Sequence, residues 1–275
     1  MKVSVIVTTY KDLTSLKLVL EGLRRQDYDD FEVVVAEDDN DPKTVEFLKD
    51  YQDLEIVHVS HKNVGRTKTV IQNKAILKST GEYLIFLDGD VIPYKKFISS
   101  QVKIAQKGHI LAGRRVNLDE VTSLKLKDGR LFADFLEKFY FLFALKFMFD
   151  REVRFEQGFY ISPDSFIYKK FLSKRKRNTS IIGCNFSCFK DDMLHVNGFD
   201  ESYEPTTYGD DTDLTWRFKS AGFKLISAKN IANIFHLWHP RTRGEKPKHI
   251  EELYKKNKIK NDFRAQKGLS QYVEG

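Results

Sequence analysis

The first apolar run, residues 3–7, ends in Thr8-Thr9-Tyr10, and Leu13, Leu16, Val19, Leu20 and Leu23 then recur at the spacing of one helix face. The runs 31–36, 54–59 and 83–87 read as buried strands, and 44–51 and 68–79 as the helices beside them. Strands that alternate with helices predict a mostly parallel sheet with both faces covered. Ligands of such sheets gather beyond the carboxyl ends of the strands. There the second predicted strand runs into Glu37-Asp38-Asp39-Asn40-Asp41, and the fourth into Asp88-Gly89-Asp90.

The middle of the chain has a different texture. Residues 131–171 hold eleven of the 22 phenylalanines, and Phe132, Phe135, Leu136, Phe139, Phe143 and Phe147 recur at helical spacing. Asp134, Glu137, Lys138 and Lys146 lie between them. One reading makes this stripe core. The other joins it to the basic, aromatic-interleaved segment that follows and lays both on an anionic membrane surface. From 181 the compact pattern resumes with Gly183-Cys184-Asn185-Phe186-Ser187-Cys188-Phe189 and Asn197-Gly198-Phe199-Asp200-Glu201. Tyr208-Gly209-Asp210-Asp211-Thr212-Asp213 then opens a predicted helix over 214–221, and a last strand, 224–228, precedes Ile234-Phe235-His236-Leu237-Trp238-His239-Pro240. The lysine-rich C-terminal helix is expected at the periphery.

At 275 residues with 41% hydrophobic content, the chain is long enough for one large α/β domain with a full core, which excludes a disordered chain or a disulfide scaffold. Cys184 and Cys188 are too close in sequence to frame a fold, in keeping with a reducing compartment. The opening apolar run has no basic n-region before it, no long apolar region and no small-residue cleavage site, and reads as a strand rather than a signal peptide. No stretch approaches the roughly 20 apolar residues of a membrane span. The net charge of +7 is uneven: 165–180 carries six basic and no acidic residues, 241–275 carries ten and five, and the remainder is net −4. Basic segments attract phosphate in a nucleotide, a lipid headgroup or a nucleic acid, or simply solvate the surface.

Clustered carboxylates repel unless a cation or a proton joins them. Asp88 and Asp90, one residue apart at a strand end, suit a hard cation such as Mg²⁺ or Mn²⁺, and a nearby imidazole would favour Mn²⁺. His236 and His239 are candidates for that imidazole, although a lone histidine at a strand end is more often structural.

The order of acidic cluster, Asp-Gly-Asp, Gly-Asp-Asp and His resembles the GT-A glycosyltransferases of family 2. The C-terminal half is similar to galactosyltransferases and chondroitin-type polymerases. The resemblance rests on residues 3–11, 81–90 and 197–201 and extends to about 240, except for 120–178. It implies a GT-A fold, with a mixed, mostly parallel sheet, helices on both faces and a Phe-rich basic helical insertion. The domain would span 1–240, with the insertion at about 120–178 and a basic helical tail at 241–275.

The resemblance also implies roles. Thr8 and Tyr10 would line a nucleotide pocket; Glu37 and Asp38 are rivals for the uracil; Asn63, Gly65, Arg66 and Asn73 would approach the nucleotide, with Arg66 at a phosphate. Asp88, Gly89 and Asp90 match the metal–diphosphate motif, with Asp88, Asp90 and His236 as ligands and Trp238 and His239 around them. Asp211 matches the catalytic base and Asp210 an acceptor-binding group. The expected activity is inverting transfer from a UDP-sugar to a hydroxyl of a glycan or lipid-linked glycan, of the bacterial polysaccharide kind. Mn²⁺ or Mg²⁺ would assist, and the enzyme would be cytoplasmic with peripheral contact at the inner face of the membrane. Two other classes fit parts of the pattern: a metal-dependent nucleotidyl- or phosphotransferase, and a basic nucleic-acid-binding protein. The chain has no Gly-x-x-x-x-Gly-Lys loop and no zinc-finger or RNP-like signature, so no nucleic-acid partner is expected.

Overall fold

A computed structural model describes residues 1–62, 65, 67–173, 179–204, 211–240 and 247–272. Seven strands form the main sheet: β1 (Val3–Thr9), β2 (Phe31–Glu37), β3 (Ile56–Ser60), β4 (Tyr83–Asp88), β6 (His109–Ala112), β8 (Asn185–Phe189) and β9 (Lys224–Ser227). Their order is β3-β2-β1-β4-β8-β6-β9. All neighbours pair in parallel except β8, which runs antiparallel to β4 and β6. A smaller sheet has the order β5 (Val91–Pro93), β10 (Ile234–His236), β7 (Val116–Asn117). The mixed, mostly parallel sheet is the one expected from the alternating pattern.

Alternation along the strands divides the core. Val3, Val5, Val7, Val33, Val35, Ile85 and Leu87 face α1 (Leu13–Arg24) and α4 (Phe97–Ile104). Ile6, Val34, Ala36, Leu84 and Phe86 face α3 (Lys68–Lys78) and α9 (Thr212–Ser220) on the other side. Both faces are therefore dry, and each side of a strand has its own helices to bury. Two short helices, α2 (Pro42–Leu48) and α8 (Lys190–His195), complete the flanks. No helix among the described residues is long and apolar enough to cross a membrane.

The aromatic stretch folds as α5 (Glu120–Lys127), α6 (Ala133–Lys138) and α7 (Tyr140–Phe147), which cover the small sheet and form a third core with Ile92, Tyr94, Val116 and Phe235. Leu136 and Phe147 of the expected stripe are buried, with Tyr140 and Ala144 beside them, and the helix breaks between α6 and α7 at Phe139 (φ −104°, ψ 24°). Phe132, Phe135 and Phe139 are left exposed and Phe143 half-buried. The inward face is closely fitted: a Cβ on Gly158 would lie 2.0 Å from the Tyr140 ring.

The expected tail contains α10 (Lys248–Lys260), whose surface is mostly exposed apart from Ile250 and Asn257. The segment after it is laced to the 197–201 turn. Asn197 and Gly198 both have left-handed backbone (φ 63° and 71°), a conformation that Asn tolerates better than most residues. The Asn197 side chain donates to Ala265 O at 2.8 Å and accepts from Ser270 N at 2.9 Å. Asp200 accepts from Gln266 N at 3.1 Å, and Leu269 is buried in the core.

The same turn is gripped from α9. Arg217, 1% exposed, pairs with Asp213 at 2.5 Å and donates to Val196 O and Gly198 O at 3.0 and 2.9 Å. Removing one member of a buried pair leaves a charge without its partner. Replacing Arg217 by Met should therefore cost about 3–5 kcal/mol, read as a lowered urea midpoint with an unchanged m-value.

Candidate active site

β1 sets the floor of the site. Thr8 lies opposite Asp88 on β4, and Thr9 opposite Glu37 on β2. The Gly89 amide donates to Thr8 O at 2.7 Å and the Asp38 amide to Thr9 O at 2.9 Å, so both acidic loops are pinned to the end of one strand. Gly89 has no room for a side chain, because a Cβ there would lie 2.9 Å from Thr9 Oγ1 and 3.1 Å from Thr8 O. The Thr8 hydroxyl is buried without a hydrogen-bond partner, whereas Tyr10 is half exposed.

The small sheet supplies the opposite wall. β5 leaves Asp90 directly and pairs with β10, placing His236 opposite Val91, and the Leu237 amide donates to Asp90 O at 2.9 Å. His236 Nε2 and His239 Nε2 consequently lie 3.6 and 3.5 Å from Asp90 Oδ2. One carboxylate oxygen and two imidazole nitrogens thus lie within 4.8 Å of one another. Asp90 Oδ1 is buried with no hydrogen-bond partner. An oxygen and two imidazoles suit a transition ion such as Mn²⁺, and the orphaned carboxylate oxygen fits a cation's place.

Asp88 is held differently. It forms an ion pair with Lys68, the first residue of α3, at 2.8 Å. Burial alone would push its carboxyl up, but the charge and hydrogen bond of Lys68 outweigh that and hold it below the ordinary value. Burial, and then the adjacent Asp88 charge, pushes Asp90 up to about 6. Arg115 stands between β6 and β7, partly buried, donating from Nη1 to Cys184 Sγ at 3.2 Å, and its charge reaches both carboxylates. The Cys184 thiol is pushed up to about 12 by burial and stays neutral.

The two uracil candidates also part company. Glu37, 1% exposed, accepts from Thr44 Oγ1 at 2.6 Å and bonds His58 Nε2 at 2.9 Å, tying α2 to β3. Asp38 bonds His61 Nε2 at 2.8 Å and accepts from Thr67 Oγ1 at 2.5 Å, holding the approach to α3. Asn73, expected along the nucleotide, faces the core instead: fully buried, it donates to Phe199 O at 2.9 Å and accepts from Phe199 N at 2.9 Å. Trp238 is 41% exposed beside the histidines, and its amide donates to Ser123 Oγ at 2.8 Å.

Asp211 sits immediately before α9, and its Oδ1 accepts from Thr212 Oγ1 at 3.0 Å. Glu204 leads toward it and binds the start of α3, accepting from Thr69 N and Thr69 Oγ1 at 2.8 and 2.5 Å. Asn63, Arg66 and Asp210 lie outside the described residues, as does the basic run 174–177. Lys68 and Arg115 were not singled out from the sequence, because nothing marks one lysine or arginine among 46 basic residues.

Comparison with known proteins identifies the family and the fold. The glycosyl transferase family 2 profile matches residues 4–175, and that described as the N-terminal domain of galactosyltransferase matches 167–240. A GalNAc(5)-diNAcBac-PP-undecaprenol beta-1,3-glucosyltransferase of Campylobacter jejuni is 24% identical over 240 residues, 85% of this chain. An uncharacterized glycosyltransferase of Methanocaldococcus jannaschii is 27% identical over 188 residues, 66% of this chain. The chain spans 65% and 60% of the length of these two relatives.

Among solved structures, S. aureus TarS 1-349 in complex with UDP superposes with a TM-score of 0.63 at 14% identity, covering 98% of this chain and 68% of that one. A mannosyltransferase from Pyrobaculum calidifontis in complex with GDP-Man and Mn²⁺ gives 0.56 at 15% identity, covering 100% and 64%. At these identities the likeness establishes the fold, which is GT-A. With its profile matched over residues 4–175, more than half of the length, the chain belongs to glycosyl transferase family 2.

Proposed function

We propose that the protein is an inverting, metal-dependent glycosyltransferase that moves a sugar from a UDP-sugar to a hydroxyl of a glycan or lipid-linked glycan. The observation that carries this reading is the gathering of Asp90, His236 and His239 at the carboxyl end of β4, beside Asp88. Support for the donor comes from the TarS complexes with UDP and UDP-GlcNAc, and for a lipid-linked acceptor from the name of the Campylobacter relative.

Asp90, His236 and His239 would hold a divalent cation, Mn²⁺ better than Mg²⁺. When bound, it supplies Lewis-acid neutralisation of charge on a leaving diphosphate. Asp88 is held by Lys68 and contributes negative charge beside that position. Lys68 and Arg115 bring two fixed positive charges to the same wall, where they bind and orient phosphate oxygens. Glu37 and Asp38 stay rivals for the uracil, because the oxygens of both are already bonded within the fold, to Thr44 and His58 and to His61 and Thr67. Asp211 takes the proton of the acceptor hydroxyl as the new C–O bond forms. A single carboxylate base opposite the leaving group implies one displacement and inversion at the anomeric carbon.

Replacing Asp211 by Asn should lower kcat by about 10²–10⁴ while leaving UDP affinity nearly intact, as read from product formation and calorimetry. Substantial retained turnover would remove Asp211 from the base role. The Asp90→Ala variant should lose the Mn²⁺-dependent part of UDP binding, and normal affinity with chelator present would contradict the cation site. Arg115→Met should weaken UDP binding about 10–100-fold, through loss of a charge-assisted contact. Slow hydrolysis of a UDP-sugar to UDP and free sugar is the expected side reaction, and release of pyrophosphate from a nucleoside triphosphate would point to a different transferase.

A further inference from the structure

We infer that the outer face of α6 and α7, together with the segment around Phe166 and Phe171, docks the protein on an anionic lipid bilayer. This goes beyond the proposed reaction and does not depend on its donor. The inward faces of the two helices already supply Leu136, Tyr140, Ala144 and Phe147 to the third core, so the fold makes no use of the aromatics left outside. Those are large: Phe141 is 67% exposed, Phe149 87% and Phe166 68%. Single exposed apolar residues need no explanation, but a run of phenylalanines on adjoining turns marks a contact surface.

The cations around these rings choose the occupant. Lys138 Nζ lies 5.4 Å over the Phe139 ring, and Lys170 Nζ lies 5.1 and 5.4 Å over Phe166 and Phe171. An apolar ring below an ammonium is the composition of a bilayer interface, where rings enter the acyl boundary and charges stay among headgroups. Lys169 and Lys170 stand among these rings, which favours anionic over zwitterionic lipid. At six and eight residues, the helices are too short to cross a bilayer and suit lying upon one.

The two parts of the face are anchored at the two ends of α4: Glu137 accepts from Lys95 N at 3.0 Å just before it, and Lys103 in its last turn pairs with Asp164, two residues before Phe166. The face is also coupled to the site, because Tyr140 contacts Phe235, the neighbour of His236, with ring centroids 5.8 Å apart. A bilayer bound there would lie one packed layer from the cation cluster.

The test is flotation of the full chain with vesicles of phosphatidylcholine alone and of phosphatidylcholine mixed with phosphatidylglycerol. The expected result is partition onto the mixed vesicles that weakens with salt, with much less onto phosphatidylcholine. A Phe141→Ser, Phe149→Ser double variant should lose about tenfold or more in partition, and Lys169→Glu, Lys170→Glu should lose the preference for the anionic vesicles. Unchanged far-ultraviolet circular dichroism and UDP binding show that the variants remain folded. Wild-type protein that stays unbound in every vesicle, or serine variants that float as well as wild type, would overturn the proposal. So would a concentration-dependent dimer that the serine substitutions abolish without any vesicle binding, since the face would then belong to a second copy.

Discussion

The site depends on one short pairing, three residues of β5 against three of β10. The large sheet alone delivers carboxylates to its edge and nothing to share them with. Only when β10 lies against β5, with Leu237 bonded to the backbone of Asp90, do two imidazoles come to face a carboxylate that burial and Asp88 have already made costly to ionise. The α5–α7 layer holds this pairing from outside. Its inward residues pack against Ile92 on one strand and Phe235 on the other. This layer is thus part of what builds the site.

The start of α3 makes a second junction. Lys68 reaches to Asp88, while Thr69, one residue on, holds Glu204 on the way to Asp211. Asn73, farther along the same helix, fixes Phe199. One helix therefore adjusts the position of both acidic elements, through charge at its first turn and through amide bonding in its middle.

Much of this could be read from the sequence, for physical reasons. The central strands β1, β2 and β4 are buried on both faces and announce themselves as apolar runs, and ligands of such sheets gather beyond the carboxyl ends, where their acidic loops fall. The meeting of Asp90 with His236 and His239 was visible only through family resemblance, because three-residue strands far apart in sequence leave no periodic trace. Lys68 and Arg115 carry no signal at all outside the fold. Asn73 misled because a buried amide that satisfies a turn looks, in sequence, like one that meets a ligand. The phenylalanine stripe was legible in part: Leu136 and Phe147 are core, whereas Phe132, Phe135 and Phe139 stay exposed and Tyr140 and Ala144 fill the inner face in their place.

The lacing of residues 197–201 to 265–270 has a consequence for how the protein folds. The turn that positions α9 takes its hydrogen bonds from α3 on one side and from Ala265, Gln266 and Ser270 on the other. Contacts of such long sequence separation close late, because the loop entropy is spent before they return anything. The main sheet can form early from neighbouring βα units, but the ground under Asp211 stays unset until residue 270 has joined it. A nascent chain would thus acquire its first four strands well before the turn that positions α9.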